Sequence, residues 1–460
     1  MLKTEKSMRF LSFVFFLYFL VLSAHGQIWQ VDPALKHELR LTKLKTILLS
    51  AMKEQGINLW LVFDRDADDE SVNMVWENCR KVRLDPVSEY LGSEKIFQPG
   101  AFLFSDTGER VAIVSVSDRD PLANSGIYTK IVTYEYTKRK GFEDIFGLLR
   151  QEIVRLNPAK IGLNWSEYEP MADGLTLGMY KLLERVLGAE MSKRFVSAED
   201  VVVSLLGRNS AEEVAYLQQS ADISKQHMEE AMRIIRVGRT TERDLFNYIR
   251  FRMEQDGVDP GWIESRCPIV TVGGPRSGAI PGDEKAEPGR LVKINHGVRV
   301  KGLSVDLNMC AYLLRPGESS PPAALQHMWD TVVRATQEAV KAIKPGVRCR
   351  DVDSVARKVV KEAGYDEWSY ELGHSVGTWI HGIGPTLGPN WSHFSRKTEM
   401  AIQENDVYAV EPAVARFVPE MNSTVRVHVQ EMVVVRPDGA HYMVPPQTEL
   451  LLISSEGKNK

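Results

Sequence analysis

Asp306, His374, His381, Glu411 and Glu431 are the residues of this chain whose types and settings could do chemistry. Asp306 lies among Leu303, Val305, Leu307 and Met309, Glu411 between Val410 and Pro412, and Glu431 beside a run of valines. A carboxylate in an apolar strand is costly to bury unless an arginine, a proton or a metal ion neutralises it. For Glu431 alone the plainer reading is a side chain turned to solvent while alternate valines face the core. Three such acids, with the glycine-flanked His374 of "ELGHSVGTWIHGIGP", point instead to a shared charge sink. Oxygen and imidazole donors together suit a divalent first-row ion such as Mn, Fe, Co or Zn. Such an ion lowers the pKa of a bound water and so makes hydrolysis the natural chemistry.

The elements that must position these residues can be read from periodicity. "VKINHGVRVKGLSVDLNM", residues 292 to 309, alternates apolar and polar side chains around Gly297 and Gly302 and reads as two strands meeting at a turn. It carries Asn295 and Asp306, eleven positions apart. Strand-like runs also read at 267–273, 407–412 and 427–436. Helices read from Ser210, where Ser210 and Glu213 form a capping box, to Gly238, from Thr241 to Gly257, at 322–344 and at 351–363. Before them, a helix at 34–56, strands at 58–63 and within 102–116, a helix at 142–157 and a strand at "KIGLNW" alternate as in a mixed α/β domain. The change of pattern places the boundary within 200–210.

The chain has 460 residues, 43% hydrophobic and 26% charged, with a formal net charge of −4. That length points to two domains, and that charge does not suit a general nucleic-acid binder. Residues 1–26 differ from the rest: Lys3, Lys6 and Arg9 precede the uncharged "FLSFVFFLYFLVLSA", and Ala24 and Gly26 stand before a cut ahead of Gln27. This is the pattern of a cleaved secretory signal peptide, so the chain is expected to be exported, periplasmic or secreted. An uncleaved N-terminal membrane anchor is the alternative. Cys79, Cys267, Cys310 and Cys349 are too scattered for a disulfide framework.

Residues 205 to 455, through these five positions in their order, resemble the pita-bread metallopeptidase family: methionine aminopeptidase, aminopeptidase P, prolidase and the non-peptidase creatinase. The two-domain plan resembles the Xaa-Pro aminopeptidase and prolidase branch. The resemblance implies a creatinase-type α/β domain over 27–205 and an α+β pita-bread catalytic domain over 206–460. It also implies a peptide substrate, a homodimer and a divalent cofactor (Mn, Co, Zn or Fe). The family binds two ions with two Asp, one His and two Glu. Its second aspartate falls on Asp306, its ligand histidine on His374, its substrate-side histidine on His381, its Glu-Pro glutamate on Glu411 and its bridging glutamate on Glu431. Glu411 is also the implied general acid/base, and His381 the implied donor to the substrate.

The chain departs from the family pattern at three places. The first aspartate falls on Asn295, which offers a neutral carbonyl oxygen in place of a carboxylate. In the family that aspartate serves only the ion without a histidine, so the resemblance implies one intact metal site and a second weakened or lost. His296 is no replacement, because alternation points it the other way. A substrate-handling histidine falls on Gly278, and an arginine two residues before the bridging glutamate falls on Val429. Two functions are therefore carried forward. One is an exported metal-dependent aminopeptidase-like hydrolase cutting near peptide N-termini. The other is an impaired or repurposed homologue, creatinase-like or binding a peptide or small molecule in the cleft.

Overall fold

The computed structural model describes residues 32–454 except 65, 68–81, 84, 93–95, 138–142, 274–279 and 392–395. The expected signal peptide, Cys79 and Gly278 lie outside the described residues.

The first half is a sheet of strands β1 (Leu59–Asp64), β2 (Gly100–Ser105), β3 (Arg110–Ser115), β4 (Lys130–Tyr134), β5 (Ile161–Leu163) and β6 (Phe195–Ser197), in the order β4-β3-β2-β1-β5-β6. Every residue of β1 is buried, because helices cover both faces. Leu59, Leu61 and Phe63 pack with α2 (Asp144–Leu156) and α3 (Leu177–Leu187) on one side. Trp60 and Val62 pack with α1 (Pro33–Glu54) and α4 (Glu199–Gly207) on the other. The strands read within 102–116 are β2 and β3, an antiparallel pair that turns at Gly108, whose φ of 90° suits a residue without Cβ.

The second half opens with the expected capping box: the Glu213 N–H donates to Ser210 Oγ, and the Ser210 N–H donates to Glu213 Oε2 at 2.8 Å. The helices that follow are α5 (Ala211–Arg233), α6 (Glu242–Asp256), α7 (Ala323–Ala342) and α8 (Cys349–Glu362). One sheet joins β7 (Ile269–Val272), β8 (Leu291–His296) and β11 (Leu307–Leu313), with β9 (Val298–Val300) and β10 (Leu303–Ser304) between the last two in the chain. A second runs β13-β12-β14-β17-β18, from β12 (Gly373–Ser375), β13 (Thr386–Leu387), β14 (Val407–Val410), β17 (Glu431–Arg436) and β18 (Gly439–Tyr442). A ribbon of β15 (Ala413–Val418) and β16 (Ser423–His428) lies between β14 and β17 in the chain. One core joins α5 and α6 to Val292, Ile294, Leu307, Met309, Val407, Met432 and Val434, and another joins α7 and α8 to Tyr408, Val410, Val433 and Val435. Sheets clasped by two helix pairs are what a pita-bread domain requires.

The run expected as one strand over 427–436 is broken: β16 ends at His428 and β17 starts at Glu431. Asn308 causes the break. The Gln430 N–H donates to Asn308 Oδ1 at 3.0 Å and the Asn308 N–H donates to the Gln430 carbonyl at 3.2 Å, so Gln430 pairs with β11 instead of continuing the ribbon.

The two halves meet close to the catalytic candidates. A Cβ on Gly207 would lie 2.1 Å from the Gly384 Cα, so the end of α4 touches the backbone of the loop that carries His381. Asn209 Nδ2 donates to the Val376 carbonyl at 3.0 Å, and Arg208 grips the Glu54 carboxylate with both terminal nitrogens.

Asp406, at the entry to β14, gives a pH test of the fold. Burial pushes its carboxyl from 3.8 up to about 6, outweighing donors from the Gln403 N–H and Tyr408 OH. Between those two values the folded chain holds a proton that the unfolded chain has lost. This contribution is therefore present at low pH and lost as pH rises through about 6. In urea unfolding, Asp406→Asn should show a pH slope less negative than the parent's by up to about 1.4 kcal/mol per pH unit across that window. Identical slopes would refute the assignment.

Candidate metal centre

The floor of the cleft is one face of β8 and β11. With Val292, Ile294, Leu307 and Met309 packed on α5 and α6, alternation turns Lys293, Asn295, Asn308 and Cys310 to the other face. Asn295 stands opposite Asn308 in the register, and Asp306 lies just before β11. The connection needs glycine. Lys301 and Gly302 have φ of 51° and 86°, the tight two-residue turn that holds Val300 opposite Leu303.

His374 projects from β12, where it stands opposite Ala409 of β14, and Glu411 follows the end of β14 with its N–H donated to the Leu372 carbonyl at 2.7 Å. The structure brings Asp306, His374, His381 and Glu411 together. His374 Nε2 lies 3.9 Å from Asp306 Oδ2 and 3.6 Å from Glu411 Oε1. The His381 ring meets the His374 ring edge-on, with centroids 4.6 Å apart. Asp306, His374 and His381 each offer a donor atom within 4.8 Å of the others.

His374 Nε2 is buried and has no hydrogen-bond partner in this structure. An orphaned imidazole nitrogen between two carboxylate oxygens fits a divalent ion with mixed oxygen and nitrogen donors. Burial and the neighbouring His381 lower the His374 pKa, which favours the neutral, ligating ring. Burial, then the Asp306 charge, pushes Glu411 well above the usual carboxylate range, so without a cation this carboxyl holds its proton.

Asn295 is at the site but offers its nitrogen. Its Nδ2 donates to Asp306 Oδ1 at 2.8 Å, the Leu307 carbonyl at 3.1 Å and Gln430 Oε1 at 2.6 Å. The Leu307 carbonyl and the carboxylate are acceptors, so the amide orientation follows from its surroundings. Glu431 is placed differently from the expectation. Its Oε1 accepts the Gln447 N–H at 2.8 Å, the charged group facing it is Lys225 of α5, and burial raises it to about 7. The side chain that reaches Asn295 from this segment is Gln430, one residue earlier, and the break at 429–430 accounts for the shift. Counted from Gln430, the position two residues before it is His428. Val429 lies in the core packed under α7 and α8.

His428 was not singled out from sequence, yet it contacts the site directly. Asn308 Oδ1 accepts the Gln430 N–H, so Asn308 Nδ2 must be the group that donates to His428 Nδ1 and to the His428 carbonyl, both at 3.0 Å. His428 therefore carries its proton on Nε2 and donates it to Glu411 Oε2 at 3.1 Å. Burial, Lys293 and Arg426 hold this imidazole neutral. The result is one Glu411 oxygen tied down and the other left towards His374. Asn308 was legible as sharing a face with Asp306; Gln430 and His428 had no signal short of the broken strand.

A pita-bread domain with convergent Asp, His and Glu donors defines a metal-dependent hydrolase class. The profile of metallopeptidase family M24 matches residues 215–437. A Pyrococcus furiosus Xaa-Pro dipeptidase is 25% identical over 293 residues, covering 62% of this chain and 78% of the relative. Two solved structures share the two-domain fold. An Xaa-Pro dipeptidase from Bacillus anthracis aligns with TM-score 0.56 and 19% identity over 91% of this chain and 100% of its own. An X-Pro aminopeptidase from Thermotoga maritima gives 0.55 and 17% over 88% and 100%. Residues 215–437 thus form a domain of metallopeptidase family M24, similar to Xaa-Pro dipeptidases, and the chain is by class a metallopeptidase hydrolase.

Proposed function

We propose that the chain is an exported, single-ion hydrolase of the Xaa-Pro aminopeptidase or prolidase type, cleaving near the N-terminus of a peptide. The observation that carries this reading is the unpartnered His374 Nε2 facing Asp306 Oδ2 and Glu411 Oε1. Asp306, His374 and Glu411 would hold the ion, which when bound supplies Lewis acidity and an activated water. Counting charge supports one ion: in place of the four acids that the resemblance implies, Asn295 and Gln430 are neutral, and Asp306 with Glu411 balances one divalent cation. Glu411 exchanges the proton, with His428 holding its second oxygen so that Oε1 stays free. His381, exposed at the cleft, donates to the substrate carbonyl or the tetrahedral intermediate. Export rests on the N-terminal sequence, and a homodimer on the resemblance.

The test is release of the first residue from a panel of Xaa-Pro and Xaa-Ala peptides, with the protein loaded with Mn, Co or Zn in turn. Release that needs the ion and vanishes on chelation is expected. No release from any peptide under any ion would overturn the peptidase reading. A second reading, a homologue that binds a peptide or small molecule without hydrolysis, is favoured by the hydrogen bonds that tie Asn295 to Asp306 and Gln430. It gains if the protein binds no ion at micromolar concentration and His374→Ala changes nothing.

A further inference from the structure

The neighbourhood of Asn295 does not fit a second ion, and the reason extends beyond the two amides. Asn295 turns its N–H donors towards Asp306 Oδ1 and Gln430 Oε1. A cation placed there would meet amide hydrogens where it needs lone pairs. Lys293 adds a third obstacle. It stands two residues before Asn295 on the same face of β8, opposite Cys310. Burial lowers its pKa and Arg426 adds to that, while Cys310, Glu411 and Asp306 oppose the shift and favour the ammonium. Among the described residues no carboxylate lies in ion-pair contact with it.

We propose that Lys293 is the fixed second cation of this cleft: its ammonium, with the Asn295–Gln430 amide pair, excludes a second divalent ion. Asn295 and Gln430 stand neutral where the resemblance implies acids, and Lys293 adds a basic group on the same face of β8 as Asn295. Asp306 Oδ2, His374 Nε2 and Glu411 Oε1 still face one another and keep their donors for the first ion. Like charges in a recessed, water-poor cleft repel far more strongly than in bulk water. The two carboxylates alone would therefore not make a second site while the ammonium remains. This extends the single-ion reading and rests on it for the first ion.

Metal counting tests it without reference to activity. Full chains are incubated with excess Mn²⁺, desalted and assayed for bound manganese by mass spectrometry, with circular dichroism to verify folding. The parent is expected to retain one ion, Asn295→Asp/Gln430→Glu still one, and the triple variant with Lys293→Met two. Two ions in the double variant with Lys293 in place would overturn the proposal. So would a triple variant that holds no more than the double. No ion in the parent would instead overturn the single-ion reading, and the difference between double and triple variants would still decide the role of Lys293.

Discussion

His374→Ala is expected to weaken Mn²⁺ binding by more than the roughly 10- to 100-fold typical of losing a residue that merely supports a ligand. The imidazole faces both Asp306 Oδ2 and Glu411 Oε1, and its Nε2 is unpartnered. Deleting it removes a direct donor and leaves two carboxyl groups, of which Glu411 already favours its protonated form. The ion-free fold loses only the Nδ1 contact with the Ser375 carbonyl at 3.3 Å and the ring's packing on His381, so its stability should fall modestly. Thermal melts separate the two effects. The melting temperature without metal should fall only modestly, while the rise on adding Mn²⁺, which reports binding to the folded state, should disappear. Equal Mn²⁺ affinity by calorimetry in parent and variant would show that the ion sits elsewhere.

Gly297→Ala should be the most damaging small substitution near the site. An alanine Cβ there would lie 1.8 Å from the Val305 carbonyl oxygen and 3.2 Å from Trp262 Cζ3. The first neighbour is backbone and cannot turn aside. The Gly297 carbonyl also accepts the Gly261 N–H at 2.8 Å and the Cys267 thiol at 3.2 Å, so the residue is held on several sides. Relief must come from parting the two arms that carry Asn295 and Asp306. Overpacking of this kind costs about 3 kcal/mol, and the Asn295–Asp306 contact should loosen with it. The variant's melting temperature and urea midpoint should both fall, and its Mn²⁺ affinity with them. A midpoint indistinguishable from the parent's would mean that the hairpin adapts, contrary to its geometry.

Much of the fold was legible because it follows from local rules. The Ser210 capping box, the helix stop at Gly257 and the turn at Gly302 are each decided within a few residues by orphan backbone groups or by a positive φ. Asp306, His374, His381 and Glu411 could be selected from their apolar or glycine-rich settings, and the structure gathers all four. The misplaced element was the segment 427–436. Read alone it alternates well enough to be one strand, and on that reading Glu431 faces the cleft. Its interruption depends on Asn308, more than 120 residues earlier in the chain, whose amide takes the Gln430 N–H.

By itself, then, the amino-acid order determined the class of protein, the two-domain plan and the types of donor available, since these rest on pattern, capping and residue chemistry along the chain. The tertiary structure alone decided which side chains from that set share one space, and in what orientation. It put Gln430 in the position expected for Glu431, turned the Asn295 nitrogen to Asp306, and set the His428 proton on Glu411. Hydrogen-bond direction and strand register depend on partners distant in sequence, and a shift of one residue exchanges a carboxylate for an amide.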